Sequence, residues 1–210
     1  LIAGITREVA ANHPVDSRRI FVAGLSAGAA MAVILGQTYP ELYAGVGAHS
    51  GLPYAAAHDL PSALAAMKGQ GSLHRMPDLA NLPRSVAAAP GESVRFVPTI
   101  VFHGDRDRTV HQGNGTTIVQ QASAALDLNE AVPRSASRNE SGVAPCGRRY
   151  SRSIVSDASG LPRIESWVLH GAGHAWSGGD ASGTYTDGTG PDASAEMVRF
   201  FLAQPLAGSA

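Results

Sequence analysis

Leu1, Ile2, Ile5 and Val9 recur near helical spacing, which predicts an amphipathic helix over residues 1–12. His13-Pro14 stops it. After a turn at Asp16-Ser17 comes Arg19-Ile-Phe-Val-Ala-Gly24, apolar without alternation. That pattern predicts a strand at 19–24 buried on both faces. An Ala- and Leu-rich helix follows over 27–39, ended by Pro40. Further strands are predicted at 43–49 and 98–103, and a helix at 114–128. Residues 149–155 and 164–170, separated by Asp157-Ala-Ser-Gly160, read as an antiparallel hairpin at the sheet edge. A last helix spans 191–204 and carries Met197, Val198, Phe200 and Phe201.

Strands alternating with helices predict an α/β fold: a mostly parallel sheet with helices on both faces, in one domain covering 1–210. The exception is an excursion at 52–97, rich in Ala, Pro and Gly, in which only 60–67 reads as helical.

Composition narrows the function classes. Hydrophobic residues make up 44% of the 210 positions and charged residues 16%, as in an ordinary folded protein. Sixteen basic and 17 acidic residues leave a formal charge of −1 without any basic run, so no nucleic-acid partner is expected. No apolar stretch reaches the roughly 18 residues of a membrane span, so no membrane partner is expected either. Cys146 is the only cysteine. It is a free thiol, or it pairs with a segment outside these residues. Ala144-Pro-Cys-Gly147 offers neither an elbow nor a neighbouring base, so a catalytic cysteine is not expected.

Gly24-Leu-Ser-Ala-Gly28 matches G-x-S-x-G and lies between a predicted strand and a predicted helix, where a nucleophile elbow belongs. Small residues on both sides of Ser26 let strand and helix crowd together. The helix N-terminus favours developing negative charge, with the Ala27 N–H as an oxyanion donor. A serine hydroxyl needs a base, and the base needs an orienting carboxylate. In this fold class they follow in the order Ser, Asp or Glu, His. His103-Gly-Asp-Arg-Asp-Arg-Thr-Val110 places Asp105 and Asp107 just past a strand, and either carboxylate qualifies. Gly171-Ala-Gly-His-Ala-Trp-Ser-Gly-Gly179 places His174 in a glycine-rich loop after the hairpin.

The remaining candidates are weaker. His49 and His103 end strands and are expected to be hydrogen-bonded scaffold. His13, His58 and His74 suit surface turns. Leu25 and His111 are candidate cleft residues. Trp176 either walls the substrate site or packs into the core. Asp180, Asp187 and Asp192 carry oxygen donors, but turn and capping roles account for them, so neither a metal nor another cofactor is expected.

Three segments together resemble the polyhydroxybutyrate depolymerase family of esterases, related to feruloyl and acetylxylan esterases. They are Ile20-Phe-Val-Ala-Gly-Leu-Ser-Ala-Gly-Ala-Ala-Met31, Pro98-Thr-Ile-Val-Phe-His-Gly104 with Asp107, and Gly171–Gly179 around His174. The resemblance runs over about residues 1–202. It implies an α/β-hydrolase fold, a triad of Ser26, Asp107 and His174, and secretion, although no signal peptide is visible. It also implies strands before the elbow strand, one of them followed by a His-Gly turn that supplies a second oxyanion donor. This sequence lacks them. The chain is then a piece of a longer protein, or pairs through that edge with a second copy, or caps its sheet in another way.

The expected activity is therefore hydrolysis of carboxylic esters through an acyl-enzyme on Ser26. Short-chain, hydroxyalkanoate polyester and feruloyl esters all fit. The alternative is an incompetent hydrolase-like fragment or binding module with an incomplete oxyanion hole.

Overall fold

The structure, a computed structural model, describes residues 1–70, 95–129, 133–180 and 182–205. Its elements are α1 (Ile2–Asn12), β1 (Phe21–Leu25), α2 (Ala27–Thr38), β2 (Gly45–His49), α3 (Leu60–Met67), β3 (Thr99–Gly104), α4 (Gly113–Asp127), β4 (Arg134–Val143), β5 (Arg149–Asp157), β6 (Pro162–Leu169), the two-residue strands β7 (Trp176–Ser177) and β8 (Thr186–Asp187), and α5 (Ala193–Ala203). Every predicted helix is present. The helix predicted inside the excursion is capped by Asp59, whose carboxylate accepts from the Ser62 N–H at 2.8 Å. The rest of that excursion, residues 71–94 with His74, lies outside the described residues.

Among the described residues six strands form one sheet in the order β1-β2-β3-β6-β5-β4. β1, β2, β3 and β6 run parallel, while β5 and β4 continue the sheet antiparallel. This is the mixed sheet with helices of an α/β-hydrolase-type fold. β2 and β3 are buried along their whole length, as their unbroken apolar runs require. Because side chains alternate across the pleat, Ile100 and Phe102 face α5 with Met197, Phe200 and Phe201. Val101 faces the other way, toward Ala29, Ala32 and Val33 of α2 and Ile118 of α4. The fully buried alanines Ala29 and Ala32 let α2 lie close to the sheet.

Two expectations need correction. The strand predicted to be buried on both faces, β1, is the open end of the sheet among the described residues. Its residues are half-buried and Ala23 is exposed. The hairpin of β5 and β6 is antiparallel as expected but does not form the sheet edge. β4 lies outside it, and its described side chains at 137–143 are exposed or half-buried. An edge strand wetted in this way carries no apolar run for pattern reading to find.

Among the described residues no helix is long and apolar enough to cross a membrane.

Candidate active site

Ser26, Asp107 and His174 each follow a strand of the parallel set, β1, β3 and β6, so all three stand beyond the same end of the sheet. Ser26 occupies φ 58°, ψ −119°, a conformation that non-glycine residues adopt only when their surroundings enforce it. The enforcement is local. A β-carbon on Gly24 would stand 2.4 Å from the Gly28 carbonyl carbon, so strand and helix meet with only glycine's width between them. The Ser26 N–H donates to the His49 carbonyl at 2.9 Å, tying the elbow to the end of β2. Gly28 itself has open space where a β-carbon would go, so the crowding expected on both sides of Ser26 is confined to Gly24. Ala27 begins α2, and its N–H has no acceptor within the helix.

Asp107 Oδ2 accepts from His174 Nδ1 at 2.7 Å. Asp107 Oδ1 accepts from the N–H groups of Thr109 and Val110 at 2.9 and 2.8 Å. Burial pushes this carboxyl's pKa up. The Val110 N–H, the His174 ring and the Thr109 N–H outweigh that effect and hold it below the usual carboxylate range. The ionised carboxylate fixes the Nδ1–H tautomer of His174, leaving Nε2 free to accept a proton. No hydrogen bond joins His174 Nε2 to Ser26 Oγ among the described residues, and such catalytic bonds often close only when substrate binds.

Asp105, the other candidate carboxylate, serves a different histidine. Its Oδ2 is 2.9 Å from His170 Nδ1, and its Oδ1 accepts from the Gly171 N–H at 2.6 Å. Nothing in the sequence singled out His170, which lies at a predicted strand end.

His103 and His49 are scaffold. His103 Nε2 donates to the Val110 carbonyl at 2.8 Å and stands 3.6 Å from Asp107 Oδ2, bracing residues 105–110, the acid loop. His49 Nε2 accepts from the Ser177 N–H at 3.0 Å, so the ring proton is on Nδ1, 3.2 Å from Ser50 Oγ. Burial drives the His49 pKa down to about 3.

Of the proposed cleft residues, Leu25 ends β1 and is half-buried. Trp176 is half-buried, stacks on His49 with ring centroids 5.2 Å apart, and donates from Nε1 to Ser194 Oγ at 3.1 Å. His111 joins the acid loop to the excursion: its N–H donates to the Met67 carbonyl at 2.7 Å, and its Nδ1 accepts from the Gly113 N–H at 3.1 Å. The aspartates considered as oxygen donors are engaged locally. Asp180 accepts from Ser182, Asp187 from Thr189 and Arg148, and Asp192 caps α5 through the Ala195 N–H.

The family model described as esterase PHB depolymerase matches residues 2–144. The chain is 28% identical over 168 residues to a poly(3-hydroxyalkanoate) depolymerase C of Paucimonas lemoignei, covering 78% of this chain and 37% of that protein. It is 25% identical over 178 residues to a feruloyl esterase B of Talaromyces stipitatus, covering 82% and 46%. It thus spans less than half the length of these curated relatives. Among solved structures it resembles an acetyl xylan esterase from Aspergillus awamori, with TM-score 0.63, 19% identity and coverage of 97% of this chain and 66% of that one. It also resembles a PHB depolymerase complexed with an R3HB trimer, with TM-score 0.61, 14% identity and coverage of 90% and 53%. At these identities the structural likeness shows the fold.

Proposed function

We propose that this chain, which belongs to the PHB depolymerase family of esterases, hydrolyses carboxylic esters through an acyl-enzyme on Ser26. The observation that carries this reading is the 2.7 Å bond between His174 Nδ1 and an Asp107 carboxylate already held by two backbone N–H groups. In the proposed reaction Ser26 Oγ attacks the ester carbonyl as His174 Nε2 takes its proton. Asp107 orients the ring and stabilises the imidazolium. The Ala27 N–H donates to the oxyanion. The imidazolium then protonates the leaving alcohol, and water attacks the acyl-enzyme with His174 as base.

Leu25, Trp176 and His111 are proposed to border the acyl or alkoxy group. The relatives' names supply the substrates to compare: hydroxyalkanoate polyesters, feruloyl esters and acetylxylan. The test is hydrolysis of p-nitrophenyl butyrate and labelling by a fluorophosphonate, each with and without Ser26→Ala. Loss of both in the variant supports the assignment. Labelling of another residue at the original rate sinks it.

The open edge of β1 points to an addition. Ile2, Ile5, Val9, Ile20, Phe21 and Val22 line a groove beside that edge. We propose that a further segment of the same protein, or a second copy, covers the edge in the working molecule and brings the second oxyanion donor. An unaided chain would then be a weak catalyst. Secretion, which the family resemblance implies, is checked by locating the protein in culture medium.

A further inference from the structure

We propose that Asp105 is a positioning residue: with His170 it forms a clasp that fixes the loop carrying His174. The proposal rests on the assignment of His174 as the base.

His174 is held at its tip by Asp107, but the approach to it is glycine-rich, Gly171-Ala-Gly173, and glycine resists ordering more than any other residue. The structure pins this approach group by group. Asp105 Oδ1 accepts from the Gly171 N–H at 2.6 Å, and Asp105 Oδ2 bonds His170 Nδ1 at 2.9 Å. On its far side His170 Nε2 meets Ser151 Oγ at 2.9 Å. The His170 carbonyl accepts from Arg148 Nη1 at 3.1 Å, and Arg148 is itself anchored to Asp187 at 2.7 Å. The Ala172 carbonyl accepts from the Arg106 N–H at 3.0 Å. A β-carbon on Gly104 would stand 2.3 Å from that same carbonyl oxygen, so the acid loop and the histidine loop are in direct contact.

Asp105 and Asp107 therefore divide the work along one short loop. Asp107 bonds the base, and Asp105 bonds the segment that delivers the base. Partial desolvation pushes the Asp105 pKa up, and the hydrogen bonds from the His170 ring and the Gly171 N–H outweigh it and hold this carboxyl below the usual carboxylate range.

Ser151, His170 and Asp105 reproduce the order of bonds in a Ser-His-Asp triad, yet they do not make a second hydrolytic centre. Ser151 lies in mid-strand, paired with Ser141 on β4 and Val168 on β6. Its backbone groups are thus committed to ladders, and it lacks both a sharp turn and a neighbouring free N–H for an oxyanion. The arrangement suits orientation instead. With Asp105 accepting from Nδ1–H, neutral His170 accepts the Ser151 hydroxyl proton at Nε2. Both ring nitrogens of His170 then have partners.

The test compares Asp105→Ala and Asp105→Asn in the full-length protein. Asp105→Ala removes both bonds and should lower kcat roughly 10–100-fold, with KM within about twofold, because it misplaces the base and leaves substrate binding untouched. Asp105→Asn can make both bonds once the ring changes tautomer, so it should recover to within about threefold of the original kcat. His170→Ala opens only the ring half and should fall between them. It also serves if Asp105→Ala does not fold. A second readout does not depend on turnover: the far-downfield proton resonance of His174 Nδ1–H. It should broaden or vanish in Asp105→Ala and return in Asp105→Asn. If the protein cleaves no ester but the resonance behaves in this way, the clasp stands and the esterase reading falls. If kcat and the resonance are unchanged in Asp105→Ala and His170→Ala, or if KM alone rises, the clasp is refuted.

Discussion

The N–H of Ser177 donates to Nε2 of His49 at 3.0 Å across 128 positions of sequence. The same histidine accepts the Ser26 N–H at its carbonyl, so one buried residue ties the proposed nucleophile's elbow to the far end of the base loop. That role requires a neutral ring. In the folded state the His49 pKa lies at about 3, whereas an unfolded histidine titrates near about 6.5. The unfolded chain then binds the extra proton in the interval between, so this contribution is complete above the unfolded value and is lost as pH falls. His103, its pKa also lowered by burial, adds in the same direction. The paired aspartates Asp105 and Asp107 have lowered values and lose their contributions only below the ordinary carboxylate range. Urea midpoints should therefore fall between about pH 6.5 and pH 4.5. His49→Gln, whose Oε1 can accept the Ser177 N–H, should show a shallower slope over that range. An unchanged slope would mean that His49 is not the titrating group.

Asp107→Asn should cost about 10³–10⁴-fold in kcat while the fold is retained. The amide's own oxygen can still accept from Thr109 and Val110. Its NH₂ cannot accept from Nδ1–H, so the ring adopts the wrong tautomer. Steady-state kinetics beside Asp105→Asn provide the check, and the Asp107 variant should be by far the worse of the two. Equal losses would remove the distinction between the two carboxylates.

Ser26, the proposed nucleophile, sits at a strained backbone position. A residue at φ 58°, ψ −119° stores strain of about 1–3 kcal/mol. Glycine relieves that strain but costs about 0.5–1 kcal/mol in chain entropy. Ser26→Gly should therefore be more stable than Ser26→Ala by about 1 kcal/mol, with both inactive. Denaturant titration reads the difference. A less stable glycine variant would show that the elbow is not strained.

The two glycines of the elbow should behave oppositely. Gly24→Ala drives a β-carbon into the Gly28 backbone and should destabilise by about 3 kcal/mol. Gly28→Ala meets open space in an α-helix and should gain up to about 1 kcal/mol. Thermal melts of the pair check this.

The turn at Ser26, the strand-end positions of Ser26, Asp107 and His174, and the parallel strands were legible because each leaves a local signature: a buried strand reads as an unbroken apolar run, and the turn as small residues around serine. Asp105 and Asp107 were equivalent as residue types, and family resemblance separated them before the geometry did. β4 was not legible, because an exposed edge strand such as Arg138-Asn139-Glu140-Ser141 is polar and shows no alternation. The His170–Asp105 bond was not legible either, since 65 residues separate its partners and His170 belongs to no motif.

The Ile20 carbonyl accepts from the Ala44 N–H, and the Ser26 N–H donates to the His49 carbonyl, so the even-numbered residues of β1 turn their backbone groups toward β2. In a parallel ladder the alternate residues turn theirs the other way. Phe21, Ala23 and Leu25 therefore present their N–H and C=O groups to the outside of the sheet, beside a groove walled by Ile2, Ile5 and Val9. Unpaired groups of this kind template the addition of another strand. If a segment of the same protein or a second copy covers this edge, those three amides should exchange hydrogen as slowly as Val22 and Gly24, whose partners lie on β2. If the edge is bare, protection should alternate along the strand, with Phe21, Ala23 and Leu25 fast and Val22 and Gly24 slow. Residue-resolved exchange on the full-length protein separates the two patterns. An alternating pattern in a preparation with full esterase activity would overturn the proposal that a cover completes the site.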